Sequence, residues 1–110
     1  MSLSRVAIAL AALATFAGAA HAQDAAAGAK VYADQKCSVC HSIAGKGNAK
    51  GALDDVGSKL SAAEIRSWIE DAAGMTTKTN ATRKPAMKAY SLPKGDVDNL
   101  VAYLSTLKKK

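Results

Sequence analysis

The five residues from Cys37 to His41 constrain this chain more than any other stretch, and they contain its only two cysteines. Two thiols separated by Ser38 and Val39 can both reach one edge of a porphyrin, and the adjacent imidazole can then bind the central iron. The spacing predicts a c-type haem attachment site, with Cys37 and Cys40 bonded to the macrocycle and His41 as a metal ligand. The second ring nitrogen of His41 stays free to donate to a backbone acceptor, which would fix the tautomer.

Three other chemistries are compatible with this cysteine pair. A thioredoxin-like redox pair requires a preceding strand in a βαβ unit, whereas an alanine-rich helical pattern precedes Cys37. A zinc site requires four ligands, and the chain offers only the two cysteines, His41 and the distant His21. A disulfide between Cys37 and Cys40 would close a very small ring and constrain little of the unfolded chain. The adjacent histidine favours haem attachment over all three.

Residues 1–22 are predicted to be a secretory signal peptide and not part of the folded domain. Arg5 supplies a positive charge, an apolar run covers residues 6–17, and Ala20-His21-Ala22 has the small-x-small pattern of a cleavage site. A retained membrane anchor is the alternative, although the run is short and alanine-rich for a membrane span.

The remaining residues, 23–110, are enough for one small domain, which by itself buries little surface. The chain has one Trp and one Phe, and Phe16 lies inside the predicted signal peptide. A bound haem would supply the apolar centre that these few aromatic side chains do not. We therefore expect the protein without haem to fold poorly.

Helical patterns lie at both ends of this domain. A first helix is predicted over 24–36 with Asp24 as its N-cap, and Gly28 and Tyr32 lie one turn apart on one of its faces. A last helix is predicted over 93–107, because proline suits its first position and an apolar face follows. A glycine beside a large side chain is typical of a close helix crossing, so we expect these two helices to pack together.

The centre of the domain is predicted to contain one helix after a long loop. Residues 42–59 carry four glycines and no sustained periodicity, which indicates a loop whose Leu53 and Val56 face the porphyrin. A helix is predicted over 61–73, because it starts with a Ser-x-x-Glu capping box and Gly74 follows its apolar face.

Three further side chains are candidates for the haem site. Trp68 lies on the apolar face of the middle helix, where its indole can pack in the core or donate to a haem propionate. Met87 lies in the polar, irregular segment 75–91, two residues after Pro85, which would stiffen an axial thioether loop. Met75 is the rival ligand, and either methionine could instead fill a gap in the core.

With these features in place, residues 24–107 resemble the class I bacterial cytochromes c. The resemblance is most specific at Cys37–His41, at Lys84–Tyr90 and at Leu100–Leu104. It implies an all-α cytochrome c fold, in which the N- and C-terminal helices cross around one covalently bound haem c. It also implies His41 as the proximal iron ligand and Met87 as the distal one.

The sequence departs from this family at Ala52. In many relatives a proline stands just before the residue corresponding to Leu53, and its carbonyl accepts the N–H of the proximal histidine. The resemblance therefore implies the carbonyl of Ala52 as the acceptor for His41. Alanine can still accept this hydrogen bond, but it makes the loop less stiff than proline does.

The predicted ligands favour one function. A His/Met pair would leave the iron without an open coordination position, which suits a one-electron carrier better than an enzyme. The resemblance implies that this carrier works in the periplasm, where the family attaches its haem. The alternatives are a haem-based peroxidase or gas-ligand sensor with a labile methionine, and a haem subunit of a larger oxidoreductase.

The charge of the chain bounds its partners. Loss of Arg5 would leave 14 of the 15 basic residues against 9 acidic ones, a net charge of +5. This excess favours redox partner proteins with acidic docking surfaces. Five basic residues near the predicted ligands could surround the haem edge or be ordinary solvated side chains: Lys36, Lys46, Arg83, Lys84 and Lys88. We expect a monomer with no stable membrane insertion after signal cleavage, and no nucleic-acid binding, because a basic and aromatic pattern is lacking.

Overall fold

Short helices make up most of the regular structure in residues 24–109, the part of the chain that the computed structural model describes. In chain order they are α1 (Ala25–Asp34), α2 (Val56–Lys59), α3 (Ala62–Glu70), α4 (Ala72–Thr79) and α5 (Lys94–Ser105). Two 3₁₀ turns (Cys37–Val39 and Ala49–Gly51) and a ladder of strands β1 (Ser42–Ile43) and β2 (Lys46–Gly47) complete the regular elements. The predicted signal peptide, residues 1–22, lies outside the described residues.

Helix α1 begins and ends for local reasons. Asp24 caps it by accepting a 3.0 Å hydrogen bond from the backbone N–H of Ala27. The helix ends at Asp34, slightly before the predicted end at Lys36. Lys36 has a left-handed backbone with φ of 58°, which cannot continue a right-handed helix.

Helices α1 and α5 cross at Gly28, which confirms the predicted packing. Gly28 is buried, and a β-carbon placed on it would collide with the backbone carbonyl of Asn99 and lie 2.7 Å from the β-carbon of Tyr103. Tyr32, one turn further along α1, meets the Tyr103 ring edge-on, with ring centroids 6.0 Å apart. The glycine therefore sets the distance between the two helices.

The apolar core lies between α3 and α5. Its buried members are Ile65, Ile69, Val97, Leu100, Val101 and Leu104. Each such side chain contributes roughly 1.5–3 kcal/mol when it leaves water completely. The core is small, and it adjoins a cavity described below.

The segment 42–59 is not the long irregular loop that the sequence predicts. A hairpin pairs Ser42 with Gly47, and its two central residues, Ala44 and Gly45, have φ of 53° and 80°. Type I′ hairpin turns require positive φ at both central positions. The hairpin, the second 3₁₀ turn and α2 are each too short to produce a periodic pattern, which is why the sequence did not reveal them.

The middle helix also differs from its prediction. Its capping box is present, with Ser61 accepting from the N–H of Glu64 at 3.1 Å, but α3 ends at Glu70 and not near residue 73. Asp71 leaves the helical conformation and accepts from the N–H of Gly74 at 3.2 Å, so it caps a further helix, α4. Gly74 therefore lies inside a helix that it was expected to end, and Met75 is helical.

The chain beyond α5 is held against α2. The N–H of Gly57 donates to the carbonyl of Leu107 at 2.7 Å, and the N–H of Lys109 donates to the hydroxyl of Ser58 at 2.8 Å. Across residues 24–109, every helix is too short or too polar to cross a membrane.

Candidate haem-binding site

A cavity of about 500 Å³ lies between the helices and the segments that connect them. Its walls are mostly apolar and include Leu53, Leu60, Ile65, Ile69, Leu100 and Leu104. Within residues 24–109 no Asp or Glu lines it, whereas Lys36, Arg83 and Lys88 do. Tyr32 also lines this cavity, and its buried hydroxyl has no hydrogen-bond partner in the described residues. An apolar space with cations among its lining residues fits haem, an apolar ring that carries two carboxylates.

The attachment motif lies at one side of this cavity. After the left-handed residue Lys36, the 3₁₀ turn Cys37–Val39 brings both cysteines and His41 to the cavity lining. Cys37 is half-buried and Cys40 exposed, and both are free thiols. Burial raises the pKa of the Cys37 thiol above its ordinary value.

The other chemistries considered for the cysteine pair find little support in the described residues. Helix α1, and not a strand, precedes Cys37, which is unlike the βαβ setting of thioredoxin-like pairs. In residues 24–109 no group of three or more His, Cys, Asp or Glu side chains is arranged to hold a metal ion. The pair is also not joined as a disulfide. Haem attachment remains the chemistry that the surrounding cavity suits.

His41 is oriented by a backbone carbonyl, but not by the predicted one. Its Nδ1 donates to the carbonyl of Gly51 at 2.9 Å, one residue before Ala52. This hydrogen bond places the proton on Nδ1 and leaves Nε2 available for a metal. Burial lowers the pKa of His41 below its ordinary value; the bond to Gly51 opposes this shift, and the Arg83 guanidinium adds to it. A neutral imidazole, the form that binds metals, is favoured.

The two candidate methionine ligands have different surroundings. Met87 is half-buried and lines the cavity together with Pro85 and Ala86. Met75 is 7% exposed in helix α4 and is not among the residues from 24–109 that line the cavity. The segment after Met87 is fixed to α3 by a 2.8 Å hydrogen bond from the N–H of Tyr90 to the carbonyl of Ile69.

The other predicted site residues also face the cavity. Leu53 is half-buried there, and its N–H donates to the carbonyl of Ser42 at 2.8 Å, which ties the loop to strand β1. Trp68 projects from α3 to the same cavity, while Val56 lines it from α2. All of the predicted contact residues are therefore brought together with Cys37–His41 and Met87.

Sequence reasoning missed some residues of the site and overestimated others. It did not single out Gly51 or Leu92, because a loop glycine and an isolated apolar residue carry no distinctive pattern. Tyr90 entered only as the last residue of the Lys84–Tyr90 stretch, without a role of its own. Of the five basic residues that could surround the haem edge or be ordinary solvated side chains, Lys46 and Lys84 are not among the described residues that line the cavity. Charge alone could not distinguish Lys46 and Lys84 from the three basic residues that line the cavity.

Comparison with known proteins bears on this site directly. The family model described as Cytochrome c matches residues 25–108, which include both cysteines, His41 and Met87. No curated protein and no solved structure gives a significant match. The match spans most of the chain and agrees with the helical fold and the cavity beside Cys37–His41. The chain belongs to the cytochrome c family of haem-based electron carriers and is a small c-type cytochrome with one covalently bound haem c.

Proposed function

We propose that this protein is a periplasmic one-electron carrier whose iron is bound by His41 and Met87. The observation that carries the proposal is that His41 and Met87 line one apolar cavity, with the Nδ1 of His41 already engaged by Gly51. When bound, haem c supplies an iron that gains or loses one electron. Export of the chain depends on the predicted signal peptide in residues 1–22.

The chain's own residues explain how such a carrier would work. The carbonyl of Gly51 holds the imidazole of His41 in one tautomer and increases its basicity as a ligand. A neutral thioether from Met87 would favour the reduced state and raise the reduction potential. The apolar walls exclude water, which disfavours the additional charge of the oxidised state. If His41 and Met87 both bound the iron, the protein would leave no coordination site for a substrate, so we propose a carrier and not an enzyme.

The proposed partners are redox proteins with acidic docking surfaces. Lys36 and Lys88 are exposed and line the cavity, and Arg83 is half-buried there. The predicted mature chain has a net charge of +5, since Arg5 would be lost with the signal peptide. Complementary charge speeds association and selects orientation. We propose that the protein acts as a monomer and is not inserted in the membrane after signal cleavage.

The methionine ligand can be tested by visible spectroscopy of protein made in a host with haem-attachment machinery. We expect wild type to be low-spin, with a ferric iron–sulfur charge-transfer band that Met87→Leu abolishes and that the matched Met75→Leu variant keeps. Leucine conserves volume, so neither change should disturb packing by more than about 1.5 kcal/mol. Loss of the band in Met75→Leu alone would make Met75 the ligand.

Two other results would contradict the carrier. Rapid binding of CO by the reduced wild type would indicate a labile sixth ligand, as in a sensor or a peroxidase. A partner that stays bound to the protein in high salt would instead indicate a subunit of a larger oxidoreductase.

A further inference from the structure

The side chain of Arg83 lies close to the Nδ1 side of His41. Arg83 belongs to the segment before Met87, yet its guanidinium reaches Gly51, whose carbonyl accepts the Nδ1–H of His41. It is half-buried and lines the cavity. Among residues 24–109 no carboxylate lies within salt-bridge distance of it. A cation is therefore held beside the proximal hydrogen bond without a neutralising side chain in the described residues.

The absence of a side chain at Gly51 makes this arrangement possible. A β-carbon at this position would collide with Nη1 of Arg83 and with the carbonyl oxygen of Cys40, and it would lie 2.9 Å from Nδ1 of His41. These three atoms thus surround one volume of the size of a methyl group. The guanidinium occupies space that any other residue at position 51 would take.

The position of this charge has an electrostatic consequence. The guanidinium and the imidazole of His41 surround the same small volume, so they lie within about 5 Å of each other. At this separation in a partly buried site, the cation would affect the charge of a metal bound by the neutral imidazole. A fixed positive charge on this side of the ligand opposes the additional positive charge of the oxidised iron. Arginine suits this role because its guanidinium stays charged at every physiological pH.

We propose that Arg83 is a positioning residue that packs on Gly51, supports the His41–Gly51 hydrogen bond and raises the reduction potential of the haem. The inference rests on the proposed ligation of iron by His41. Arg83 lies in the segment that carries Met87, so this segment would also affect His41, the ligand that the attachment motif supplies.

The test compares midpoint potentials of Arg83→Gln, Arg83→Lys and the matched control Lys84→Gln, all as haem-bound proteins. Arg83→Gln and Lys84→Gln each remove one positive charge at neighbouring positions, but Lys84 is exposed and does not line the cavity. We expect Arg83→Gln to lower the potential clearly, at low and at high salt. We expect Lys84→Gln to change it little and only at low salt. Arg83→Lys should stay close to wild type, because it keeps the charge.

A second measurement separates positioning from a general effect of charge. Solvent exchange of the His41 Nδ1 proton, followed by NMR, should be faster in Arg83→Gln than in wild type and unchanged in Lys84→Gln. Equal shifts of potential in the two glutamine variants would overturn the proposal. If Arg83→Gln fails to retain haem, a low potential in Arg83→Lys would overturn it equally.

The pH dependence of the potential and the wild-type spectrum each test a separate part of the argument for Arg83. A difference between wild type and Arg83→Gln that changes over the pH range in which a carboxylate ionises would show that Arg83 pairs with a haem propionate, and it would overturn the proposal. A wild-type spectrum without the iron–sulfur band would contradict Met87 ligation in the proposed function. The comparison of Arg83→Gln with Lys84→Gln would still decide the role of Arg83, since it requires only a covalently attached haem bound by His41.

Discussion

Single charged side chains join helices α3 and α5 outside the core. Arg66 of α3 donates to Asp98 of α5, and Lys94 donates to the same carboxylate at 3.0 Å. Asp98 is only 23% exposed, so it is shielded more than most surface carboxylates. The hydrogen bond from Lys94, and to a smaller extent the one from Arg66, hold the pKa of Asp98 below its ordinary value.

The lowered pKa of Asp98 predicts a pH-dependent contribution to stability. A carboxylate with a depressed pKa in the folded state stabilises the fold fully above its unfolded pKa, about 4, and loses this effect as the pH falls through the folded value. We expect Asp98→Asn to unfold more easily than wild type at pH 7, with the difference narrowing below about pH 4. Denaturant titrations of the haem-bound protein at several pH values measure this.

A control variant is available on another helix. Asp55→Asn removes a carboxylate that makes no side-chain capping bond to α2. At pH 7 its effect on stability should be smaller than that of Asp98→Asn. If the two variants behave alike, the ion pairs around Asp98 do not contribute in the way described.

Among whole elements, the crossing of α1 and α5 depends on one residue. The β-carbon that Gly28 lacks would strike the backbone of Asn99, which cannot move without shifting α5. Tyr32 and Tyr103 then pack next to the crossing. This contact joins the first and last helices of the described residues.

We therefore expect Gly28→Ala to destabilise the protein, by roughly 1–3 kcal/mol, as overpacked cores are. Gly95→Ala, inside α5, is the matched control, because a β-carbon there meets nothing within 4 Å. Alanine should leave stability there unchanged or increase it by up to about 1 kcal/mol, owing to its higher helix propensity. Denaturant midpoints of the two ferric proteins test this. A similar loss in both would mean that backbone freedom, and not the close crossing, explains Gly28.

The elements also differ in how far the sequence could predict them. The two terminal helices and the capping box were predictable, because caps and apolar faces are local signals. The end of α3 was not, because Asp71 can cap a following helix as well as lie inside one, and Gly74 is tolerated in the first turn of α4. The acceptor for His41 was placed at Ala52 and not at Gly51, because a difference of one residue in a loop depends on the tertiary path of the chain.

For the molecule as a whole, the cavity matters as much as the packed core. The core cluster contains six buried apolar side chains, while a space of about 500 Å³ with mostly apolar walls adjoins it. Helices α3 and α5 and the segments carrying Leu53 and Met87 all contribute to these walls. Without haem these surfaces face solvent or an empty space, and both are costly.

The protein without haem should therefore lose most of its ordered tertiary structure. We expect Cys37→Ser/Cys40→Ser, made without haem, to bind hydrophobic dyes and to melt over a broad range, while the haem-bound wild type melts cooperatively. Near-ultraviolet circular dichroism and dye fluorescence measure both states. The wild-type chain made without attachment machinery is the control and should behave alike. A cooperative transition in both haem-free proteins would show that the helices alone suffice for folding.

Because α1 packs against α5, the fold can form only after both helices have been synthesised. The hydrogen bond from the N–H of Asp24 to the side chain of Asn99 joins residues 75 positions apart in sequence. Chains are synthesised from the N-terminus, so the first helix has no partner until the last one has left the ribosome. Throughout synthesis the Cys37–His41 stretch therefore stays outside any finished fold. During that interval α1 cannot yet pack against α5, and Cys37, which is half-buried in the folded protein, is still accessible.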